Sequence, residues 1–165
     1  MGRFAPFHDG HARLLKRIVE RFGAEEALVL VGSSNSITRR TPYSYKDRVR
    51  IIRASFPKIE ILPLPDGKPN LEYFDGSTND IWLDSIERLA RGRQEKFVFY
   101  GGSKEDLTVL AERFKTYLII DRYGEGEGLT ATEIRKIILE GKIEELKKYV
   151  DLNALEMILE KYIKI

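Results

Sequence analysis

The chain contains no cysteine, only two histidines and no long apolar run. The lack of cysteine excludes disulfide bonds, thiolate catalysis and metal sites built from thiolates. The lack of a long apolar run excludes a membrane-spanning helix of ordinary length, and the first residues do not follow a signal-peptide pattern. We therefore expect a cytoplasmic protein with no membrane partner.

An excess of charge of one sign is also lacking, since 28 basic residues stand against 26 acidic ones and the net charge is +2. This balance predicts no general affinity for nucleic acid. At 165 residues the chain is expected to form one domain, 1–165, which is large enough to bury a core. Residues 142–165 are expected to form a helical extension that caps the sheet or mediates a homo-oligomer contact.

Both histidines lie in one short motif, residues 2–11 (GRFAPFHDGH), which precedes apolar residues at helical spacing. The unpaired N–H groups and positive dipole at the start of a helix favour an anion. Gly10 has no Cβ, so a phosphate can come close to the backbone there. The imidazole rings of His8 and His11 can donate hydrogen bonds to phosphate oxygens. The motif therefore predicts a phosphate-binding site.

This motif resembles the signature of the H-x-G-H nucleotidyltransferases. Its Gly-Arg-Phe start is most similar to the nicotinamide mononucleotide adenylyltransferases of the archaeal type and their bacterial relatives fused to a Nudix domain. A second signature of the family, usually I-S-S-T-x-I-R, resembles residues 129–135 (LTATEIR). The two motifs occur in the family's order, and the resemblance extends to about Gly141.

The resemblance implies that both motifs bind the phosphates of ATP, because a dense negative charge is best held by donors from two sides. It implies catalytic roles for His8, His11, Thr132 and Arg135. Mg²⁺ is the implied cofactor, and it would bridge the phosphates, so no metal site made of protein ligands is expected. The implied ATP-binding residues are Gly2, Arg3, Phe4, His8, Gly10, His11, Gly101, Gly102, Thr130, Thr132 and Arg135.

Three further residues resemble the family's acceptor-binding positions. Residues 41–48 (TPYSYKDR) are similar to the family's N-P-F-T-x-x-E-R stretch, in which the arginine, here Arg48, contacts the mononucleotide. Asn79 and Trp82 resemble the N-x-x-W pair that holds the pyridine ring and its amide. From spacing alone, Trp82 is as well explained by a place in the core as by contact with the acceptor. For Arg48, the alternative is a solvent-exposed position on a helix.

Apolar runs alternate with helical patterns along the chain. A continuous apolar segment at 27–31 predicts a strand that is buried on both faces, and further strands are predicted at 59–64, 95–101 and 116–120. Helices are predicted at 45–55, with Ser44 as the cap, at 78–90, with Thr78 as the cap, and around 107–114, 142–149 and 152–163. This alternation predicts an α/β fold with a doubly wound parallel sheet, and the resemblance implies a Rossmann-like nucleotidyltransferase fold with C-terminal helices. The ligand would lie at the carboxyl ends of the strands.

The resemblance also implies a central strand directly before Gly2, where this sequence has only Met1. Loss of a central strand leaves its neighbours with unpaired backbone groups, each costing about 1–3 kcal/mol when buried. We expect that the strand is stunted, that residues upstream form it, or that another segment fills its place. Two other segments stand apart: 66–77 resembles an insertion, and the glycines of 124–128 predict a mobile lid or hinge.

The implied reaction is in-line attack by a phosphate oxygen of nicotinamide mononucleotide (NMN) on the α-phosphorus of ATP, which gives NAD and pyrophosphate. ATP and NMN are then the expected partners. Two alternatives stay open. One is nucleotidyl transfer to phosphopantetheine or flavin mononucleotide, or from CTP to a phosphorylated alcohol. The other is a nucleotide sensor without turnover, which the short N-terminus and the 101–106 loop favour, because that loop departs from the family's G-H-K-D pattern.

Overall fold

Parallel strands alternate with helices in the computed structural model, which describes residues 1–71, 78–120 and 129–163, without the side chains of residues 78 and 163. This confirms the predicted α/β class. No helix among the described residues is long and apolar enough to cross a membrane. The strands are β1 (Leu28–Gly32), β2 (Glu60–Leu64), β3 (Val98–Gly101) and β4 (Lys115–Leu118), and the helices are α1 (Asp9–Phe22), α2 (Tyr45–Ser55), α3 (Thr78–Arg93), α4 (Lys104–Leu107), α5 (Ala131–Leu139), α6 (Ile143–Leu146) and α7 (Leu155–Ile163).

Two helices begin with reciprocal caps that can be read from the sequence. Before α2, the Ser44 hydroxyl accepts from the Asp47 N–H at 3.2 Å, and the Asp47 carboxylate accepts from the Ser44 N–H at 3.0 Å. Before α5, Thr130 and Glu133 form the same arrangement. Each cap pairs backbone donors that the helix leaves unpaired. α2 therefore spans the predicted residues.

Three helical segments are shorter than predicted. The segment 152–163 begins as a 3-10 turn, Leu152–Ala154, and only then continues as α7. The segment around 107–114 is divided between α4 and a 3-10 turn, Leu110–Glu112. At the division the Thr108 hydroxyl donates to the Lys104 carbonyl at 3.0 Å, a local bond that competes with regular helix geometry. The segment 142–149 is reduced to the single turn α6. The predicted Thr78 cap, the 72–77 part of the insertion and the 124–128 loop lie outside the described residues.

Apolar side chains form two cores on opposite faces of β1. Val29 and Val31 belong to the larger core, with side chains from α1, α2, α5, α6 and α7. Leu30, between them, belongs to the smaller core, with side chains from α3, β3 and α4. Side chains alternate between the two faces of a strand, so helices cover both faces of β1. This is the doubly wound layering that the sequence predicted.

The strands form two separate parallel pairs, where the sequence predicted one sheet. β1 pairs with β2, and β3 pairs with β4. Gly2 alone extends the first pair: its N–H donates to the Leu30 carbonyl at 3.1 Å, and its carbonyl accepts from the Gly32 N–H at 2.9 Å. Within the described ranges no strand joins β1 to β3. In the place of the strand expected before Gly2, the described residues contribute this single bridge, and β1 and β3 are not joined.

Candidate active site

His8 caps the N-terminus of α1 and is buried. Its Nδ1 accepts from the Gly10 N–H at 3.1 Å. A neutral imidazole that accepts at Nδ1 carries its proton on Nε2, so Nε2–H is the ring donor of His8. The Asp9 N–H donates to the Tyr149 carbonyl at 2.8 Å. Because these N–H groups are paired within the protein, anion binding here depends more on side chains than the sequence suggested.

His11 lies in a cluster of aromatic rings one turn into α1. Its ring centroid is 3.9 Å from that of His8, 4.9 Å from that of Phe4 and 5.6 Å from that of Phe7.

A Cβ on Gly10 would lie 3.0 Å from the Cε1 atom of His8. Glycine is therefore needed at position 10 to leave room for the His8 ring, a reason that the motif alone did not reveal.

The two sequence motifs meet through Arg135. Its Nη1 donates to the Ala5 carbonyl at 2.7 Å, and its Nη2 donates to the Thr132 hydroxyl at 3.0 Å. The hydroxyl of Thr130 is engaged with Glu133 in the helix cap, whereas Thr132 is exposed. The structure therefore places Arg135 and Thr132 beside the first motif, while the Thr130 side chain shapes the start of α5.

Arg48 has no exposed surface. Its Nη1 donates to the carbonyls of Arg3 at 3.0 Å and Gly32 at 2.8 Å, and its Nη2 donates to that of Ser33 at 2.9 Å. Phe4 and Ser33 have φ angles of 52° and 50°, a left-handed conformation that costs a non-glycine residue about 1–2 kcal/mol. Arg48 thus holds two strained turns next to each other. This geometry favours a positioning role, and direct contact of Arg48 with an acceptor stays a prediction.

Asp66 is a site residue that the sequence did not single out. Its Oδ1 accepts from the Ser33 hydroxyl at 3.1 Å and from the Trp82 indole Nε1 at 3.0 Å, and its Oδ2 accepts from the Ser36 hydroxyl at 3.0 Å. A Cβ on Gly32 would lie 3.2 Å from the Trp82 ring. Asp66 and the end of β1 therefore fix the indole plane. The available signal was an acidic residue two positions after the end of β2, at the edge of the sheet where ligands bind.

A cleft of about 1010 Å³ runs between β1 and β3 and brings most of the predicted site together. The sequence-predicted residues that line it are Gly2, Arg3, Phe4, His8, Gly10, His11, Asn79, Trp82, Gly101 and Gly102. Arg48, Thr130, Thr132 and Arg135 are not among the lining residues. Arg48 is connected to the cleft through the carbonyl of Arg3, which lines it, and Arg135 donates to the carbonyl of Ala5, which directly follows the lining residue Phe4.

Four arginines concentrate positive charge around the first motif. Burial lowers the pKa of Arg3 and of Arg135, and repulsion from Arg40 lowers both further. Burial also lowers the pKa of Arg48 to about 10, an effect that the Asp66 carboxylate opposes. A bound polyanion would relieve the mutual repulsion of these side chains. Arg40 was visible in the sequence but had no assigned role, because its proximity to Arg3 and Arg135 arises only in the fold.

Metal-binding side chains are not clustered in the part of the chain that the structure describes. No three His, Cys, Asp or Glu residues there are grouped so that they could hold a metal ion. A Mg²⁺ ion at this site would take most of its ligands from phosphates and water, which suits its preference for retained waters.

Known proteins resemble this chain in sequence and in fold. A family model for cytidylyltransferase-like proteins matches residues 1–137. The nicotinamide-nucleotide adenylyltransferase of Thermococcus sibiricus is 31% identical over 150 residues, which cover 85% of this chain and 72% of that protein. The protein of the same name from Methanococcus vannielii is 26% identical over 166 residues, which cover 97% of this chain and 86% of that one.

A solved structure shows the same fold at lower identity. It is a bifunctional NMN adenylyltransferase/ADP ribose pyrophosphatase from Francisella tularensis, complexed with AMP and a manganese ion. The match has a TM-score of 0.65 and 20% sequence identity, and it covers 99% of this chain and 49% of that one. The present chain therefore spans about half the length of the bifunctional protein.

Proposed function

The chain belongs to the cytidylyltransferase-like family and, within it, to the nicotinamide-nucleotide adenylyltransferases, and from this membership we propose that it transfers the adenylyl group of ATP to NMN. The products are NAD and pyrophosphate. The observation that carries the proposal is the junction of the two motifs: Arg135 donates to the carbonyl of Ala5, beside the cleft that His8 and His11 line. We also propose that this reaction takes place in the cytoplasm.

The reaction proceeds by one direct displacement. A deprotonated oxygen of the NMN 5′-phosphate attacks the α-phosphorus of ATP and forms the new P–O bond. The bond from the α-phosphorus to the oxygen that bridges it to the β-phosphorus breaks, and its electron pair leaves with pyrophosphate. The attacking oxygen is already an anion near neutral pH, so no general base is required. The protein has to align the two substrates and neutralise the charge on the departing oxygens.

The phosphates are assigned to the basic side chains of the two motifs. His8, through Nε2–H, and His11 hold the α- to γ-phosphates of ATP. Arg3 and Arg135 bind the leaving pyrophosphate, and Arg135 is oriented for this by its bonds to Ala5 and Thr132. Mg²⁺ bound to the phosphates would supply further neutralisation of charge.

The acceptor is assigned to the part of the cleft that Asn79 and Trp82 line. The flat face of Trp82 suits the cationic pyridinium ring of NMN, and Asn79 suits its carboxamide. Asp66 keeps the indole oriented through the 3.0 Å bond to its Nε1. A flavin or phosphopantetheine acceptor carries no pyridinium charge, so this arrangement favours the nicotinamide acceptor.

The test is pyrophosphate release from ATP and Mg²⁺, with NMN, phosphopantetheine or flavin mononucleotide as the acceptor and with CTP as the alternative donor. We expect fast release with ATP and NMN alone, accompanied by stoichiometric NAD. Fast release with another pair would correct the acceptor or the donor. Release with none of them, while ATP still binds, would contradict adenylyl transfer and support the sensor alternative.

The acceptor assignment predicts a selective kinetic defect. Trp82→Ala should raise the KM for NMN about 3- to 30-fold, the range expected for loss of a cation–π contact, while the KM for ATP stays the same. Trp82→Phe is the matched control, since it keeps an aromatic face but removes the N–H that bonds Asp66. An equal rise in both KM values for Trp82→Ala would instead indicate that Trp82 serves only as a packing residue.

A further inference from the structure

Helix α7 is anchored to the segment that leads into α2. The hydroxyl of Tyr43, a residue with no exposed surface, donates to the Ile158 carbonyl of α7 at 3.1 Å. Lys161 of α7 forms an ion pair with Asp47, the residue that completes the cap of α2, at 3.1 Å. α7 also packs against α5, the helix that carries Arg135. The C-terminal helix therefore lies beside an element that the proposed reaction uses.

Tyr162 of α7 has a buried hydroxyl. This hydroxyl meets no partner with regular hydrogen-bond geometry among the described residues. The ring centroid of Tyr162 is 6.3 Å from that of Tyr43, and both rings pack in the larger core. Burial raises the pKa of Tyr43, and the Tyr162 hydroxyl raises it further. The two hydroxyls are thus neighbours, but the contact between them falls short of a regular hydrogen bond.

Tyr162 also interacts with Arg135. Burial lowers the pKa of Arg135, and Tyr162 opposes this effect more than any other group does. In the other direction, burial raises the pKa of Tyr162, and Tyr43 and Arg135 lower it. Two of the five N–H groups of Arg135 donate to Ala5 and Thr132, so others are available. An arginine with spare donors therefore lies near a buried hydroxyl that lacks a full partner.

The hydroxyl of Tyr162 has a cost without a matching structural benefit. A buried polar group without a full partner lowers the free energy of unfolding. Phenylalanine would fill the same space in the larger core without this cost. A group that lowers stability in this way is typical of a site where function sets the residue type.

We propose that Tyr162 is a positioning residue for Arg135, and that its oxygen accepts from the guanidinium when Arg135 binds pyrophosphate. The Tyr162 O–H then donates to the oxygen of Tyr43, whose own O–H is bonded to the Ile158 carbonyl. This chain of hydrogen bonds fixes the orientation of the guanidinium. Tyr162 does not line the cleft, so it acts through Arg135.

The inference rests on the proposed function, in which Arg135 binds the leaving pyrophosphate. It concerns a part of the chain to which family membership assigns no role, because α7 lies after residue 137, where the match to the family model ends.

The experiment measures the Kd of pyrophosphate with Mg²⁺ by calorimetry, and Tm, for Tyr162→Phe and for the unmodified chain. We expect Tyr162→Phe to raise the Kd about tenfold, since one bond to a charged group is lost, while Tm stays the same or rises. In turnover, kcat should fall about tenfold and the KM for NMN should not change, because Tyr162 has no contact with the acceptor part of the cleft.

Tyr45→Phe is the matched control. Tyr45 also packs against the larger core, and its hydroxyl donates to the Ile61 carbonyl at 3.1 Å. We expect this variant to lower Tm by about 2–4 °C and to leave the Kd within about twofold. A purely structural role of Tyr162 predicts the opposite pattern, in which Tm falls and the Kd does not change.

A second test repeats the substitution without the arginine. In an Arg135→Met background, Tyr162→Phe should change the Kd by less than about twofold, because the two side chains act as one unit. A tenfold effect in both backgrounds would show that Tyr162 does not act through Arg135 and would overturn the proposal.

The outcomes separate this inference from the proposed reaction. An equal Kd in Tyr162→Phe and the unmodified chain, or no binding of pyrophosphate by either, would overturn the positioning role. A tenfold rise in Kd in a chain that forms no NAD from ATP and NMN would support that role and contradict the proposed reaction.

Discussion

The two cores differ in how completely the fold closes them. Among the described residues the larger core has 18 buried apolar members, whereas the smaller has seven. Strands of a parallel sheet are normally buried on both faces. In the strand pair that contributes to the smaller core, however, three residues are largely exposed. Val98 of β3 is 41% exposed, and Tyr117 and Leu118 of β4 are 52% and 41% exposed. The cleft lies between the two strand pairs, and it separates a closed region from an open one.

The phosphate-binding motifs are attached to the closed region. Phe7, one residue before His8, and Ile134, one residue before Arg135, are both members of the larger core. Trp82 packs against the smaller core. Groups that must neutralise developing charge need fixed positions, because misplacement by about 1 Å can cost about 100-fold in rate. The proposed phosphate-binding part of the site therefore depends on the better-packed half of the protein, and the proposed acceptor-binding part depends on the less complete half.

Arg48→Met should have the largest effect, because it removes the side chain that holds the closed region together at the site. Three backbone carbonyls would lose their donor, and each buried unpaired carbonyl costs about 1–3 kcal/mol. We expect the free energy of unfolding, measured by denaturant titration, to fall by at least about 3 kcal/mol. Arg50→Met, at an exposed position of the same helix, is the control and should change little. Equal losses in both variants would contradict the positioning role of Arg48.

His11→Ala should lower kcat by about 100- to 1000-fold, which corresponds to about 2.7–4 kcal/mol for one donor to a developing negative charge. The substitution leaves the carbonyl bonds of Arg48 intact, so Tm should change far less than in Arg48→Met. Steady-state kinetics and a thermal melt on the same sample measure both effects. Activity within a few-fold of the unmodified enzyme would show that His11 has no phosphate role.

The amino group of Met1 predicts that the stability of the protein depends on pH. The Met1 amino group has a pKa of about 6 in the folded chain and a normal value of 8.0. Between these values the unfolded chain binds more protons, so the free energy of unfolding should rise with pH, by about 2–3 kcal/mol from pH 5 to pH 9. Acetylation of the N-terminus removes the charge of this amino group and should remove that rise. Parallel curves for the two chains would contradict the burial of the amino group.

Arg113→Ala should have the smallest effect, although Arg113 forms ion pairs with Asp84 at 2.5 Å and Asp80 at 3.2 Å. Both acidic partners are exposed, and exposed ion pairs contribute little because water screens them. We expect Tm to change by less than about 2 °C and kcat to stay the same. A loss of stability as large as that of Arg48→Met would contradict the proposed difference between the two regions.

Several elements could be predicted because their causes lie within a few residues of chain. The Ser44 and Asp47 cap defined α2, and the strands β1 and β2 lie within one residue of the predicted apolar runs. The partnership of the two motifs was implied by family resemblance, and the bond from Arg135 to Ala5 now gives it a physical form. The division near Thr108 could not be predicted, because helical spacing does not reveal a competing side-chain bond.

The sequence by itself determined which residue types are present for chemistry and where helices can start, since caps, apolar runs and motifs are local. Only the tertiary structure decided that Arg48 serves three carbonyls from separate segments, and that Asp66 orients Trp82. Only the tertiary structure likewise decided that Gly2 forms a bridge to β1 and that residues of β1 and β3 line one cleft. The physical reason is the same in each case: backbone groups find partners from distant parts of the chain, and those partners are known only once the strands and helices have packed.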